Sequence, residues 1–312
     1  MTEHRKIDVP GQKSLLERAT DHFGLHGLGT GAAPAVAPPA AEKPASFSAT
    51  AARSSPAAAR PALSPSPARQ IHSIDRDHLR EGGFIVPGGP VTGLLEEFRI
   101  VKRQLVLNAA ESRAGAGPIH GERILVASAL PGEGKTYCAI NLAISIAAEK
   151  DTEVLLVDAD FAKPSVLSAL GLPDGPGLMD ALADPSLDVE ECVSGTDIPG
   201  LSVLPAGRMT SCDTELLASA RTAQVLDRLT DHSPNRIIIF DSPPVLAASP
   251  ASELALHVGQ TVVVVRADRT GEAALKDALS LLGGCETIQL LLNWVQFSPT
   301  GRRFGGYYGY GE

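Results

Sequence analysis

The segment RILVASALPGEGKTYCAINLAISIA, residues 123–147, constrains the fold of this chain more than any other stretch. An apolar, β-branched run ends in a loop with two glycines, and the loop passes directly into an apolar helical run. The loop ALPGEGKT, residues 129–136, fits a relaxed phosphate-binding pattern with Ala in the first position. Gly132 and Gly134 allow the backbone to curl so that N–H groups point inward at phosphate oxygens, and the following helix adds its positive end. Lys135 is placed to neutralise the β- and γ-phosphates, and the Thr136 hydroxyl to reach a magnesium ion. The expected nucleotide contacts are Ala129, Leu130, Pro131, Gly132, Glu133, Gly134, Lys135, Thr136 and Tyr137.

A nucleotide site also needs carboxylates, and in doubly wound folds these lie at the carboxyl ends of strands. EVLLVDAD ends in Asp158 and Asp160, and RIIIFDSPP ends in Asp241. Alternate residues on an extended strand share a face, so Asp158 and Asp160 can address one site. Asn293, at the end of IQLLLNW, reads either as an adenine contact or as a strand-end cap.

Six apolar runs read as strands: 123–129, 153–159, 201–206, 236–242, 261–267 and 288–294. Helical patterns at 135–149, 213–230 and 271–282 alternate with them. Continuous apolar strands interleaved with helices indicate a mainly parallel sheet covered on both faces, an α/β architecture. Ahead of it, residues 1–30 hold a short amphipathic pattern at 13–23, read as a terminal helix or a docking peptide. Residues 31–89 are rich in Ala, Pro and Ser towards their start and read as a disordered linker. The folded domain is expected over 90–297, with a Gly/Tyr-rich tail over 298–312.

Net charge is −9, which repels polyanions at long range and argues against a nucleic-acid partner. The four cysteines, Cys138, Cys192, Cys212 and Cys285, form no C-x-x-C pair, so neither a zinc site nor a disulfide framework is expected. The N-terminus reads as lacking a signal peptide, and no run reaches the length of a membrane span. A cytoplasmic protein is the expectation, and if it works at a membrane, something else must hold it there.

In this order the three elements resemble the Walker A, A′ and B motifs of the bacterial tyrosine kinases, the CpsD/CapB-like family, from about Leu94 onward. LEEFRIVKR (95–103) resembles that family's Glu-x-x-Arg helix for subunit contacts, with Glu96 and Arg99 matching. LPAGR (204–208), TELLASAR (214–221) and DSPPVL (241–246) are similar to its wording between and within A′ and B. The helix wording, HVGQTVVVVRADRT (257–270) and the glycine-tyrosine tail look most like the exosortase (XrtA)-associated tyrosine autokinases. The chain departs from the family at Ala162 and Lys163, where arginines are usual, at Lys102, and at Cys212-Asp213 in place of Asn-Pro.

The resemblance implies a P-loop NTPase fold of the MinD/SIMIBI kind that uses ATP and Mg²⁺. It further implies Lys135, Asp158 and Asp160 as catalytic residues, with Asp158 taking the tyrosine proton, and Thr136, Asp160 and Asp241 around the metal. The implied partners are a ring-like homo-oligomer, a membrane-embedded chain-length determinant or co-polymerase activator, and a cognate tyrosine phosphatase, in exopolysaccharide export. Tyr307, Tyr308 and Tyr310 lie among glycines in the last six residues, an accessible substrate for autophosphorylation. From Asn293 to Tyr307 an extended chain spans about 45 Å at about 3.3 Å per residue, enough to reach a neighbouring copy. A MinD/ParA-type ATPase switch is the rival, but its signature early lysine is replaced here by Leu130 and Pro131. A nucleotide-binding pseudokinase scaffold is the third reading.

Overall fold

The computed structural model describes residues 70–210 and 212–295. The helical pattern at 13–23, most of the expected linker and the terminal tyrosines lie outside them. The sheet has eight strands: β1 (Ile71–His72), β2 (Arg123–Ser128), β3 (Glu153–Asp158), β4 (Ser194–Thr196), β5 (Leu201–Leu204), β6 (Arg236–Asp241), β7 (Gln260–Arg266) and β8 (Thr287–Asn293). Their order is β1-β4-β5-β3-β6-β2-β7-β8. Every neighbouring pair is parallel except β4 with β5. The strands at the centre, β2 and β6, are buried along their whole length, which is why they read as unbroken apolar runs.

Helices α1 (Arg76–Glu81), α2 (Gly93–Arg113), α3 (Lys135–Ala147) and α4 (Val166–Leu170) supply the apolar cluster on one face of the sheet. Helices α5 (Leu178–Ala183), α6 (Asp213–Leu217), α7 (Ala220–His232), α8 (Pro250–Ala255) and α9 (Glu272–Leu281) supply the other. The two clusters make the doubly wound architecture that places the ends of β2, β3 and β6 side by side at one edge.

Two sequence expectations need correction. Residues 70–89 are not linker but part of the folded domain: β1 pairs with β4, and Ile74, Leu79 and Ile85 are buried. Asp197 holds this strap by accepting from Ser73 Oγ at 2.9 Å, Ile74 N at 3.0 Å and Arg76 Nη1 at 3.0 Å. Its far end is fixed by Ile85 N donating to the buried Asn141 Oδ1 at 2.8 Å and by Tyr137 Oη donating to Gly83 O at 2.8 Å. Buried apolar anchors and satisfied main-chain groups account for the order of this strap. The helix expected over 213–230 is two helices, because Ser219 Oγ and Thr222 Oγ1 both donate to Leu216 O and turn the chain between α6 and α7.

Candidate active site

The phosphate loop joins β2 to α3 at the centre of the sheet, and both glycines that sequence reasoning singled out take left-handed conformations that other residues rarely adopt. Gly132 has φ 76° and Gly134 φ 96°. A Cβ on Gly134 would lie 2.3 Å from Asn293 Nδ2, so the end of β8 presses directly on the loop. Asn293 Nδ2 donates to Glu133 O at 3.0 Å, and its Oδ1 accepts from Trp294 N at 2.9 Å. Both ends of the amide are therefore engaged as a tie between strand end and loop.

Glu133 is buried, and its carboxylate shapes the loop from inside. It accepts from Leu130 N at 2.9 Å and from Thr270 Oγ1. Arg266 Nη1 donates to Gly132 O at 3.2 Å. Ser128 Oγ donates to Leu130 O at 3.0 Å, and Val245 N and Leu246 N donate to Ser128 O and Ala129 O at 2.9 and 3.2 Å. The loop is thus fastened on three sides by β6, β7 and β8. Tyr137 faces away, its ring 5.4 Å from that of Phe84, so any nucleotide contact from it is through the main chain.

Asp158 and Asp241 are register partners on adjacent strands, and Asp241 also pairs with Val126 of β2. Asp241 is fully buried; its Oδ2 accepts from Thr136 Oγ1 at 2.6 Å, while its Oδ1 has no hydrogen-bond partner. Burial pushes its carboxyl up to about 7, against the Thr136 hydroxyl and the Lys135 ammonium, which favour the ionised form. Lys135 Nζ stands 3.9 Å from Asp160 Oδ2. Lys135, Thr136, Asp158, Asp160 and Asp241 accordingly converge on one side of the loop.

Asp158 is placed differently from its partner. It too is fully buried, and its Oδ2 accepts from Ser165 N at 2.8 Å and Val166 N at 2.9 Å, its Oδ1 from Asp160 N at 3.2 Å. Burial raises its carboxyl to about 6 in spite of those three donors. In this conformation the carboxylate closes the 160–166 turn and offers no exposed surface to a substrate.

A divalent ion fits the residues present. The orphaned Oδ1 of a buried carboxylate is a group that ordinarily finds a partner. A hard cation such as Mg²⁺ takes one or two protein oxygens and completes its shell with phosphate and water. Thr136 and Asp241 provide that number, and the Asp160 carboxylate, beside Lys135 and acting electrostatically on Asp241, would support the ion. Among the described residues no cluster of three or more His, Cys, Asp or Glu is set for an all-protein metal site.

Glu96 and Arg99 lie on α2, away from the loop, and pair with each other on the surface. Lys102, where the resemblance expects an arginine, is buried, donating to Ser145 O at 2.6 Å and pairing with Glu149 at 2.6 Å. Sequence reasoning missed Arg266, Thr270 and Trp294 as neighbours of the loop. They lie more than 130 residues away in the chain, and no local pattern links them to it.

A family model described as an AAA domain matches residues 121–293. The tyrosine-protein kinase YwqD of Bacillus subtilis is 31% identical over 216 residues, covering 69% of this chain and 86% of that protein. A crystal structure of the chimerical protein CapA2B2 superposes with a TM-score of 0.58 at 25% identity, over 72% of this chain and 94% of that one. The kinase domain of Escherichia coli ETK gives the same TM-score, 0.58, at 22% identity over 75% and 92% of the two chains, a likeness of fold.

Proposed function

This chain belongs to the AAA-domain family and is a bacterial tyrosine-protein kinase, and from that premise we propose that it transfers the γ-phosphoryl group of ATP to tyrosines of its own C-terminal segment. The observation that carries the site assignment is the convergence of Lys135, Thr136, Asp160 and Asp241 beside a loop locked in anion-binding shape. The acceptors are Tyr307, Tyr308 and Tyr310, offered in trans by an adjacent copy.

The loop amides and the Lys135 ammonium take up the β- and γ-phosphate oxygens, fixing the chain of phosphates against α3. Thr136 and Asp241 would hold Mg²⁺, with Asp160 supporting it, and the ion when bound would supply positive charge to offset the negative charge developing on the phosphate oxygens. The phenolic oxygen bonds to the γ-phosphorus as the bond to the β-bridging oxygen breaks, ADP departs, and the phenolic proton passes to the A′ carboxylates. A free phenol has a pKa of about 10, so no carboxylate forms phenolate beforehand; the proton moves late, as a loose transition state permits. Asp158 has the raised proton affinity suited to an acceptor, but both its oxygens already accept from main-chain amides. Its participation therefore requires the 163–166 turn to open as the tyrosine enters.

By resemblance, Glu96 and Arg99, paired on the surface of α2, are the residues that would meet a second copy in a ring-like homo-oligomer. Among the described residues no helix is long and apolar enough to cross a membrane. A membrane-embedded co-polymerase activator and a cognate phosphatase, within exopolysaccharide export, complete the reading. Incubation of the full chain with labelled ATP and Mg²⁺, followed by phosphotyrosine mapping, tests it. Tail labelling that is lost in Lys135→Met supports the assignment, and wild-type labelling in that variant overturns it.

A further inference from the structure

Trp294 follows the last strand and adopts φ 60°, a left-handed conformation that a bulky residue rarely takes. The strain is held in place locally: Trp294 N donates to Asn293 Oδ1 at 2.9 Å, and Asn293 O accepts from Ala267 N at 2.9 Å. Such strain persists where surrounding bonds over-determine it, and it gathers at ligand sites. What the strain achieves here is the placement of an indole beside the phosphate loop, with Nε1 3.8 Å from where a Cβ on Gly134 would stand.

The indole is also pre-set in orientation. The Arg266 guanidinium lies over one ring face, 4.3 Å from its centroid, while the same side chain donates to Gly132 O of the loop. Loop, guanidinium and indole therefore form one connected unit. Trp294 nevertheless remains 59% exposed, and with one face covered that exposure falls on the opposite face and the ring edge. A large aromatic surface fixed at this point, with its second face uncovered among the described residues, is a platform for another flat ring. The amide of Asn293 is already spent on the loop and on Trp294 itself.

We propose that Trp294 is the base-stacking residue of the nucleotide site, its free indole face receiving the purine ring while Arg266 backs the opposite face and ties the platform to Gly132. The assignment rests on the nucleotide-site reading above and adds to it the residue that holds the base. Stacking on an aromatic face tolerates any base, so the platform contributes affinity for the nucleoside and leaves the phosphates to the loop.

The chain contains one tryptophan, so indole emission reports on this position alone. Full-length protein is titrated with ADP·Mg²⁺ and, separately, with inorganic tripolyphosphate, which carries the charge without a base. Affinities are measured by calorimetry. We expect ADP to quench or shift the emission and tripolyphosphate to bind without doing so. Trp294→Ala should weaken ADP binding by roughly 5- to 150-fold and leave tripolyphosphate affinity unchanged, with Trp294→Phe recovering most of the loss. Emission unchanged at ADP saturation, or wild-type ADP affinity in Trp294→Ala, overturns the platform while the loop assignment stands. If the wild-type chain binds neither ADP nor tripolyphosphate, the nucleotide-site reading falls and the platform falls with it.

Discussion

Replacing Gly134 by Ala tests whether the end of β8 sets the shape of the phosphate loop. Gly134 sits at φ 96°, and an added Cβ would meet Asn293 Nδ2 at 2.3 Å. Forcing an L-residue into that backbone region costs about 1–2 kcal/mol. Pushing Asn293 aside breaks its bond to Glu133 O, worth about 0.5–1.5 kcal/mol net. Together these give roughly 1.5–3.5 kcal/mol. For a domain of this size that lowers Tm by about 3–14 °C, at about 2–4 °C per kcal/mol. Thermal unfolding followed by circular dichroism, without added nucleotide, reads the shift. The decisive comparison repeats Gly134→Ala in an Asn293→Ala background, where the obstructing amide and its bond are already gone. There only the backbone strain remains, so the two changes should couple by about 1 kcal/mol. An unchanged Tm in Gly134→Ala, or the same cost in both backgrounds, would refute the idea that Asn293 clamps the loop.

Thr136→Val removes the one hydrogen bond to Asp241. The folded pKa of Asp241, about 7, lies above its unfolded value, so folding favours the neutral form and its contribution is lost as pH rises from about 4 through 7. The Thr136 hydroxyl favours the ionised form, so its loss should cost about 1–3 kcal/mol in urea unfolding at pH 8.5 and little at pH 5.5; equal losses at both pH values contradict this. Asp197→Ala should free the 70–89 strap, lowering stability by about 1–2 kcal/mol after allowance for solvent screening and opening that segment to limited proteolysis. Retained protection from cleavage would show that the apolar anchors suffice alone. Phosphorylation of three tail tyrosines adds about −4.5 to −6 charges to a chain already at −9, so the scattering mass should fall after ATP treatment and recover with phosphatase. A mass that does not change counts against charge-driven dissociation.

The central strands were legible because sheet burial on both faces removes polar alternation: RILVAS and RIIIFD leave little else to be. The loop was legible because glycine, lysine and threonine at fixed offsets carry their chemistry locally. β1 and β4 were not, since two- and three-residue strands such as Ile71–His72 and Ser194–Thr196 hold too few residues to show a period. The 70–89 strap was misread because its four glycines and Pro87 break any periodic pattern. Its spaced Ile74, Leu79 and Ile85 were the available signal. Pairings such as Arg266 with Gly132, or Thr270 with Glu133, arise only when β7 is set beside β2, and no single stretch of sequence encodes that neighbourhood.

Transfer between copies can be measured by mixing two complementary variants, one without catalysis and one without acceptors. One carries Lys135→Met with its tyrosines intact; the other keeps Lys135 but has Tyr307, Tyr308 and Tyr310 changed to Phe. With ATP and Mg²⁺ present, the mixture should place phosphate on the terminal peptide of the Lys135→Met chain, and neither chain alone should be labelled there. An unmodified terminal peptide in the mixture, when the wild-type chain labels its own, would contradict transfer between copies. Labelling of the Lys135→Met chain on its own would contradict the active site.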